Sequence, residues 1–124
     1  MNLVDSCGWL EFFADGPNAA FFAPALADEA NLLVPAICLF EVFKRIYVQR
    51  GERAALQAAA AMQRGRVVEL GQSMALFAAR LSVETGLALA DSIILAAARA
   101  YGAEVWTQDA HFAGLPDVRY RPRP

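Results

Sequence analysis

Residues 86–112 read Gly86-Leu-Ala-Leu-Ala-Asp91-Ser-Ile-Ile-Leu-Ala-Ala-Ala-Arg99-Ala-Tyr101-Gly102-Ala-Glu104-Val-Trp-Thr107-Gln-Asp109-Ala-His111-Phe112. Ile93, Ile94, Ala97 and Tyr101 recur at helical spacing, which predicts an Ala-rich helix with one buried face. Asp91 falls in its first turn and Gly102 stops it. Glu104–Thr107 then predicts a short strand, followed closely by a second acid, Asp109. A helix start and a strand end are two places where an α/β protein presents side chains to a ligand. Further acids are therefore expected at equivalent positions elsewhere in the chain.

Working outward, residues 2–5 predict a short buried strand ending on Asp5, with Ser6 capping a helix that carries Trp9, Leu10, Phe12 and Phe13. Asp15-Gly16-Pro17 breaks the chain, and Asn18 starts a second helix with Phe21, Phe22 and Leu26. Residues 31–34 predict a second strand. Pro35 opens a helix that runs to Arg50 and stops at Gly51, with Glu41 set among Ala36 to Phe40 and Val42-Phe43. A carboxylate in such apolar company is costly to bury without compensation. Glu52–Met62 predicts an outer helix, residues 67–70 a third strand, Gln72–Thr85 a helix closed by Gly86, and Val118–Tyr120 a last edge strand. Strands alternating with helices, with no internal repeat, predict a single α/β domain over residues 1–124: a mainly parallel sheet flanked by helices.

At 124 residues and 57% hydrophobic content, the chain has enough material for one core and not for two. A net charge of −2 argues against a generally basic nucleic-acid binder, while leaving room for a local basic patch. Ten of the eleven basic residues are Arg, the side chain suited to forked phosphate contacts. No basic leader with a cleavage site precedes Leu3-Val4, and charges interrupt every apolar run short of a bilayer span. Cys7 and Cys38 form no C-x-x-C motif. Reduced thiols in a cytoplasmic, non-membrane protein are the expectation. Cys7, Cys38 and His111 fit no common zinc spacing.

Asp5, Glu41, Asp91 and Asp109 now stand together. The carboxyl ends of parallel strands share one edge, so Asp5, Glu41 and Asp109 fall along it and Asp91 can reach the same rim. Each has a purely structural reading. Asp91 complements a helix dipole by roughly 0.3–1 kcal/mol, Asp109 caps a short helix at 110–113, and Asp5 sits in a turn. Glu41 resists such a reading. Four clustered carboxylates repel one another unless a divalent cation neutralises them, and oxygen-only ligands favour Mg²⁺ or Mn²⁺. Thr107 and Ser6 can orient a carboxylate or bound water.

Four segments carry a resemblance: Val4-Asp5-Ser6, Pro35-Ala-Ile-Cys-Leu-Phe-Glu41-Val42, residues 86–98, and Val105-Trp-Thr107-Gln-Asp109-Ala-His111-Phe112. Together, and in this order, they resemble the PIN-domain proteins, in particular the short VapC-type toxins of toxin–antitoxin pairs. The resemblance implies an Mg²⁺- (or Mn²⁺-) dependent endoribonuclease, the toxin of a type II toxin–antitoxin system. It places metal ligands at Asp5, Glu41, Asp91 and Asp109, with Glu41 a ligand or a proton acceptor, and a polar strand-end residue at Thr107. It also implies an RNA substrate, a homodimer, and a cognate antitoxin laid over helices near the site. Trp9, Phe12, Phe13, Phe21 and Phe22 are candidate groove residues, although core packing is the expected use of most of them in a chain this short. Lys44, Arg45 and Arg99 are candidates to flank the acids. Ala88 departs from the Ser, Thr or Pro that relatives often carry, removing a helix cap at a typical cost of about 1 kcal/mol.

Two other classes fit less well. A catalytically inactive PIN-like scaffold has no need of all four acids. A phospho-receiver domain wants paired acids after its first strand and a lysine late in the chain, whereas Ser6 follows Asp5 and the lone lysine is Lys44.

Overall fold

Leu3-Val4, residues 32–34 and Val105-Trp106 are apolar on consecutive positions, the pattern of strands covered on both faces. They form the centre of the sheet in the computed structural model, which describes residues 1–124. The strands are β1 (Asn2–Val4), β2 (Leu32–Pro35), β3 (Arg66–Val68), β4 (Glu104–Thr107) and β5 (Val118–Tyr120). They lie in the order β3-β2-β1-β4-β5, and every pairing is parallel. Leu3 pairs with Leu33 on one side and Val105 on the other, and all three are fully buried. The expected parallel α/β architecture is borne out.

Six helices flank the sheet: α1 (Ser6–Phe13), α2 (Ala19–Ala27), α3 (Ala36–Arg50), α4 (Glu52–Met62), α5 (Gln72–Thr85) and α6 (Leu89–Ala100). In α6 every residue from Ser92 to Ala98 is buried, so its alanines allow close packing against the sheet and α5. Gly86, at φ 77°, ends α5 in the left-handed region. Pro35 closes β2 and begins α3 with one conformation, φ −62° and ψ 140°, which suits a strand end and a helix start alike. No single helix is long and apolar enough to cross a membrane.

Some boundaries differ from those the sequence suggests. Residues 29–31 form a 3₁₀ turn, so β2 starts at Leu32. The third strand ends at Val68, and Leu70 beyond it is exposed. Tyr101, expected on the buried face of α6, caps the helix and turns outward, where the Arg66 guanidinium lies 4.9 Å from its ring centroid. Asp5, rather than Ser6, caps α1.

The chain runs outward from β1 through β2 to β3, then returns to place β4 on the opposite side of β1. The direction in which strands are added therefore reverses between β1 and β4, although the two run parallel. The carboxyl ends of those strands flank the crevice where an open α/β fold offers a ligand site.

Candidate metal centre

Asp5 leaves the end of β1 and Thr107 ends β4, its direct neighbour, so the two side chains meet at the crevice. Thr107 Oγ1 donates to Asp5 Oδ2 at 2.6 Å. Asp5 Oδ1 accepts from the Gly8 N–H at 3.1 Å and from Cys7 Sγ at 2.7 Å. A carboxylate has about four acceptor positions, so three donors fix its orientation and leave Oδ2 room for one more partner. Burial is the main influence on Asp5 and pushes its pKa up; the bonds from Cys7, Thr107 and Gly8 pull the other way, and the net shift remains upward. Burial raises the Cys7 thiol as well, followed by the Asp5 charge, so Cys7 serves as a hydrogen-bond donor to Asp5 and not as a nucleophile.

The other acids come from three further elements. Glu41, midway along α3, accepts from Ser6 Oγ at 2.6 Å through Oε1, which ties α3 to the start of α1. Asp91 sits in the first turn of α6. Asp109 follows β4 and its Oδ1 accepts from the His111 N–H at 2.9 Å, so it caps a 3₁₀ turn over Ala110–Phe112. Its own N–H donates to Thr107 Oγ1 at 2.9 Å. Thr107 thus joins Asp5 to the backbone of Asp109, which commits its proton to Asp5.

Asp5, Glu41, Asp91 and Asp109 all line one cleft of about 490 Å³. Asp91 registers the crowding, its pKa raised to about 6 by burial first, then by the charges of Asp109, Asp5 and Glu41, with His111 opposing. Ala88, at the N-cap of α6, supplies no side-chain bond. Ser92 Oγ instead donates to the Leu87 and Ala88 carbonyls, and Ser82 Oγ to the Leu87 carbonyl, which hold the turn that aims Asp91.

Asp91, Asp109 and His111 form the tightest group, each offering one ligand atom within 4.8 Å of the others. Opposite ligands on one small divalent ion stand about 4.2 Å apart, so the trio is close to a coordination spacing. Asp5 and Glu41 face the same cleft from outside that trio. His111 Nδ1 lies 3.0 Å from Asp109 Oδ1 and 3.9 Å from Asp91 Oδ2. Four carboxylates, one of them with its pKa raised by burial first and by its acidic neighbours second, are the donor set a hard divalent cation fits.

His111 joins the acids here, although its sequence context suggests a ligand only beside Cys7 and Cys38. Its position two residues after Asp109 in a tight turn was the available signal. Of the expected flanking cations, Lys44 and Arg45 line the cleft and Arg99 does not; Arg123, near the end of the chain, does. The aromatics of α1 and α2 serve mostly in the core, the use expected for most of them, and form no groove of their own. Trp9 and Phe22 are buried, and Phe21 packs on Phe22 and Trp106 with ring centroids 5.0 and 5.3 Å away. An apolar groove of about 470 Å³ lies instead over α3 and α4, lined by Leu39, Phe40, Phe43, Tyr47, Val48 and Ala59 with Lys44 and Gln63. It shares Phe40, Lys44 and Val48 with the acidic cleft.

The PIN domain family model matches residues 3–118. No curated protein matches the chain. Among solved structures, a toxin–antitoxin complex from Klebsiella pneumoniae contains a chain 26% identical to this one, with 96% of each chain covered and a TM-score of 0.81. VapC20 of Mycobacterium tuberculosis, described as a sarcin–ricin loop cleaving toxin, is 21% identical over 98% of this chain and 100% of its own, with a TM-score of 0.79. VapBC2 of Rickettsia felis, bound to a DNA fragment from its promoter, has a chain 12% identical over 98% and 97%, with a TM-score of 0.74.

Proposed function

The chain belongs to the PIN-domain family, and from that premise we propose that it is a divalent-metal-dependent endoribonuclease, the toxin of a type II toxin–antitoxin pair. The observation that carries this reading is the convergence of Asp5, Glu41, Asp91 and Asp109, from four separate elements, on one cleft whose wall also bears Lys44 and Arg45. The likeness to the Klebsiella toxin–antitoxin complex over nearly the whole chain supports the toxin assignment.

Asp5, Asp91 and Asp109 would hold Mg²⁺ or Mn²⁺, with Glu41 a further ligand or the proton acceptor. The chemistry such a cation supplies is neutralisation of charge developing on the phosphate and activation of water at neutral pH. The chain's own residues do the rest. Thr107 locks the Asp5 carboxylate, so its orientation is set before substrate arrives. Ser6 occupies Glu41 Oε1 and leaves Oε2 to accept the attacking water's proton. Lys44 and Arg45 draw RNA phosphates to a rim that the acids alone would repel.

The antitoxin, in this reading, lays an apolar helix or extended segment along the α3–α4 groove, which opens beside the cleft and so blocks it. Leu76 and Val83 on α5 and Leu89 at the start of α6 are 70, 87 and 77% exposed, an apolar face that a second copy of the chain would cover in a homodimer. The nuclease assignment is tested by incubating purified protein with single-stranded RNA in Mg²⁺, in EDTA, and as Asp91→Asn. Cleavage in Mg²⁺ alone, lost in the other two, is expected. RNA binding without metal-dependent cleavage would instead make the chain an inactive scaffold.

A further inference from the structure

Beyond the acids, the unusual feature is how firmly the C-terminal tail is tied down. Asn18, 5% exposed, donates from Nδ2 to the Pro122 carbonyl at 3.1 Å and to Gln108 Oε1 at 3.0 Å. The Arg121 N–H donates to the Thr107 carbonyl at 3.0 Å, and its guanidinium stacks 5.1 Å from the Phe21 centroid. A tail that served only for solubility would need none of these bonds. Their result is that Arg123 lines the acidic cleft.

Arg123 also lines a second depression, a furrow of about 300 Å³ that leaves the cleft between α1, α3 and the tail. The two share Cys7, Leu10, Arg45 and Arg123, so they form one continuous track. The furrow carries three arginines, Arg45, Arg50 and Arg123, with Gln49 and Gln108. The ion pairs of the structure are Arg64–Glu29, Arg119–Glu104 and those of His111, so none of these three arginines is matched by a carboxylate. Glu11, the one acid in the furrow, turns Oε2 to the Asn18 N–H at 2.7 Å. Unpaired guanidinium groups in a row, leading away from a phosphodiester-cleaving centre, match the backbone of a single strand.

We propose that the RNA strand runs from the acidic cleft along the α1–α3 furrow, with Arg123 a phosphate-binding residue and Asn18 the clasp that positions it. The proposal rests on the nuclease reading and adds the direction of the strand and the residues that hold it. Arg45, at the junction of cleft and furrow, contacts the phosphate next to the scissile one, and Arg50 one farther out.

The test uses the non-cleaving Asp91→Asn chain and a fluorescent single-stranded oligoribonucleotide, with Kd followed by anisotropy across a salt series. Arg123→Gln is expected to weaken binding several-fold and to lower the slope of log K against log salt by about 0.7, the value for one lost single-strand phosphate contact. Arg123→Lys should restore most of the slope. Asn18→Ala should reproduce the loss of slope although it removes no charge, which a purely structural role would not do; if that variant fails to fold, Arg123→Gln alone decides, since its side chain is exposed. An unchanged Kd and slope in Arg123→Gln, or a change confined to inhibition by an antitoxin, overturns the furrow while leaving the nuclease reading standing. A parent chain that neither binds nor cleaves RNA overturns both.

Discussion

Asp5 and Thr107 are 102 residues apart in sequence and 2.6 Å apart at their side chains, and the Thr107 hydroxyl also accepts from the Asp109 N–H. One hydroxyl therefore sets the geometry of two of the four acids. Thr107→Val keeps the shape and removes both bonds, leaving a buried carboxylate oxygen short of a donor and an N–H without its acceptor. A loss of about 1–3 kcal/mol in urea unfolding is expected, together with loss of RNA cleavage, and Thr107→Ser should recover both.

Gly8 acts on the same carboxylate from the other side. A Cβ there would stand 2.6 Å from Val4 Cγ1 and 2.7 Å from Phe22 Cε1, in the packed layer under α1. Gly8→Ala must push α1 away from the sheet and with it the N–H that donates to Asp5. Overpacking of this kind costs about 1–3 kcal/mol. The check is a lowered unfolding midpoint accompanied by reduced kcat at saturating Mg²⁺.

Asp91 makes the metal-free protein sensitive to pH. Its folded pKa, about 6, lies above the ordinary 3.8, so the folded state holds the proton more tightly than the unfolded one. The stabilisation is fully present below the ordinary value and is lost as pH rises through the folded one. In EDTA, Tm should therefore fall between pH 4 and 7. Asp91→Asn should flatten that fall and raise Tm at pH 7, and Mg²⁺ should raise Tm of the parent chain at pH 7 by binding the folded state. A Tm profile in EDTA that rises over this range would contradict the assignment.

Val48, 77% exposed, lies where the apolar groove meets the acidic cleft. Val48→Asp puts a charge where a docked apolar segment would desolvate it, at no cost to the core. Its expected effect is RNA cleavage that antitoxin no longer suppresses, at least tenfold in inhibitor concentration, with unchanged thermal unfolding. Unaltered inhibition would place the antitoxin elsewhere.

The acids were legible in the sequence because parallel topology converts order along the chain into position along one edge. Asp5 and Asp109 follow strands, and strand neighbours decide the rest. Contacts that depend on the return of the chain were not legible. Ser6 looks in the sequence like a local cap, yet its hydroxyl reaches Glu41 on α3, and Asp5 does the capping with the same carboxylate that faces the cleft. Tyr101 fits the buried period of α6 but stands past its last turn, where helical spacing no longer fixes direction. Phe21 and Phe22 give no hint in the sequence which is buried, since that depends on Phe22 packing at Gly8 of α1 while Phe21 lies against Trp106. Arg123 reads in the sequence as part of a solubilising tail, because the contacts that bring the tail back, Asn18 to Pro122 and Arg121 to Thr107 and Phe21, are set by the tertiary fold.

The strand order has a consequence for synthesis of the chain. Asp5 is made almost at once, but its partner strand β4 comes only at residues 104–107, after all six helices and after β2 and β3, which lie on the other side of β1. Long-range parallel pairing of this sort forms late. While the chain is still threading out of the ribosome, Asp5 lacks Thr107, and Asp109 does not exist. The proposed metal site therefore stays incomplete until β4 and Asp109 have emerged, near the end of synthesis.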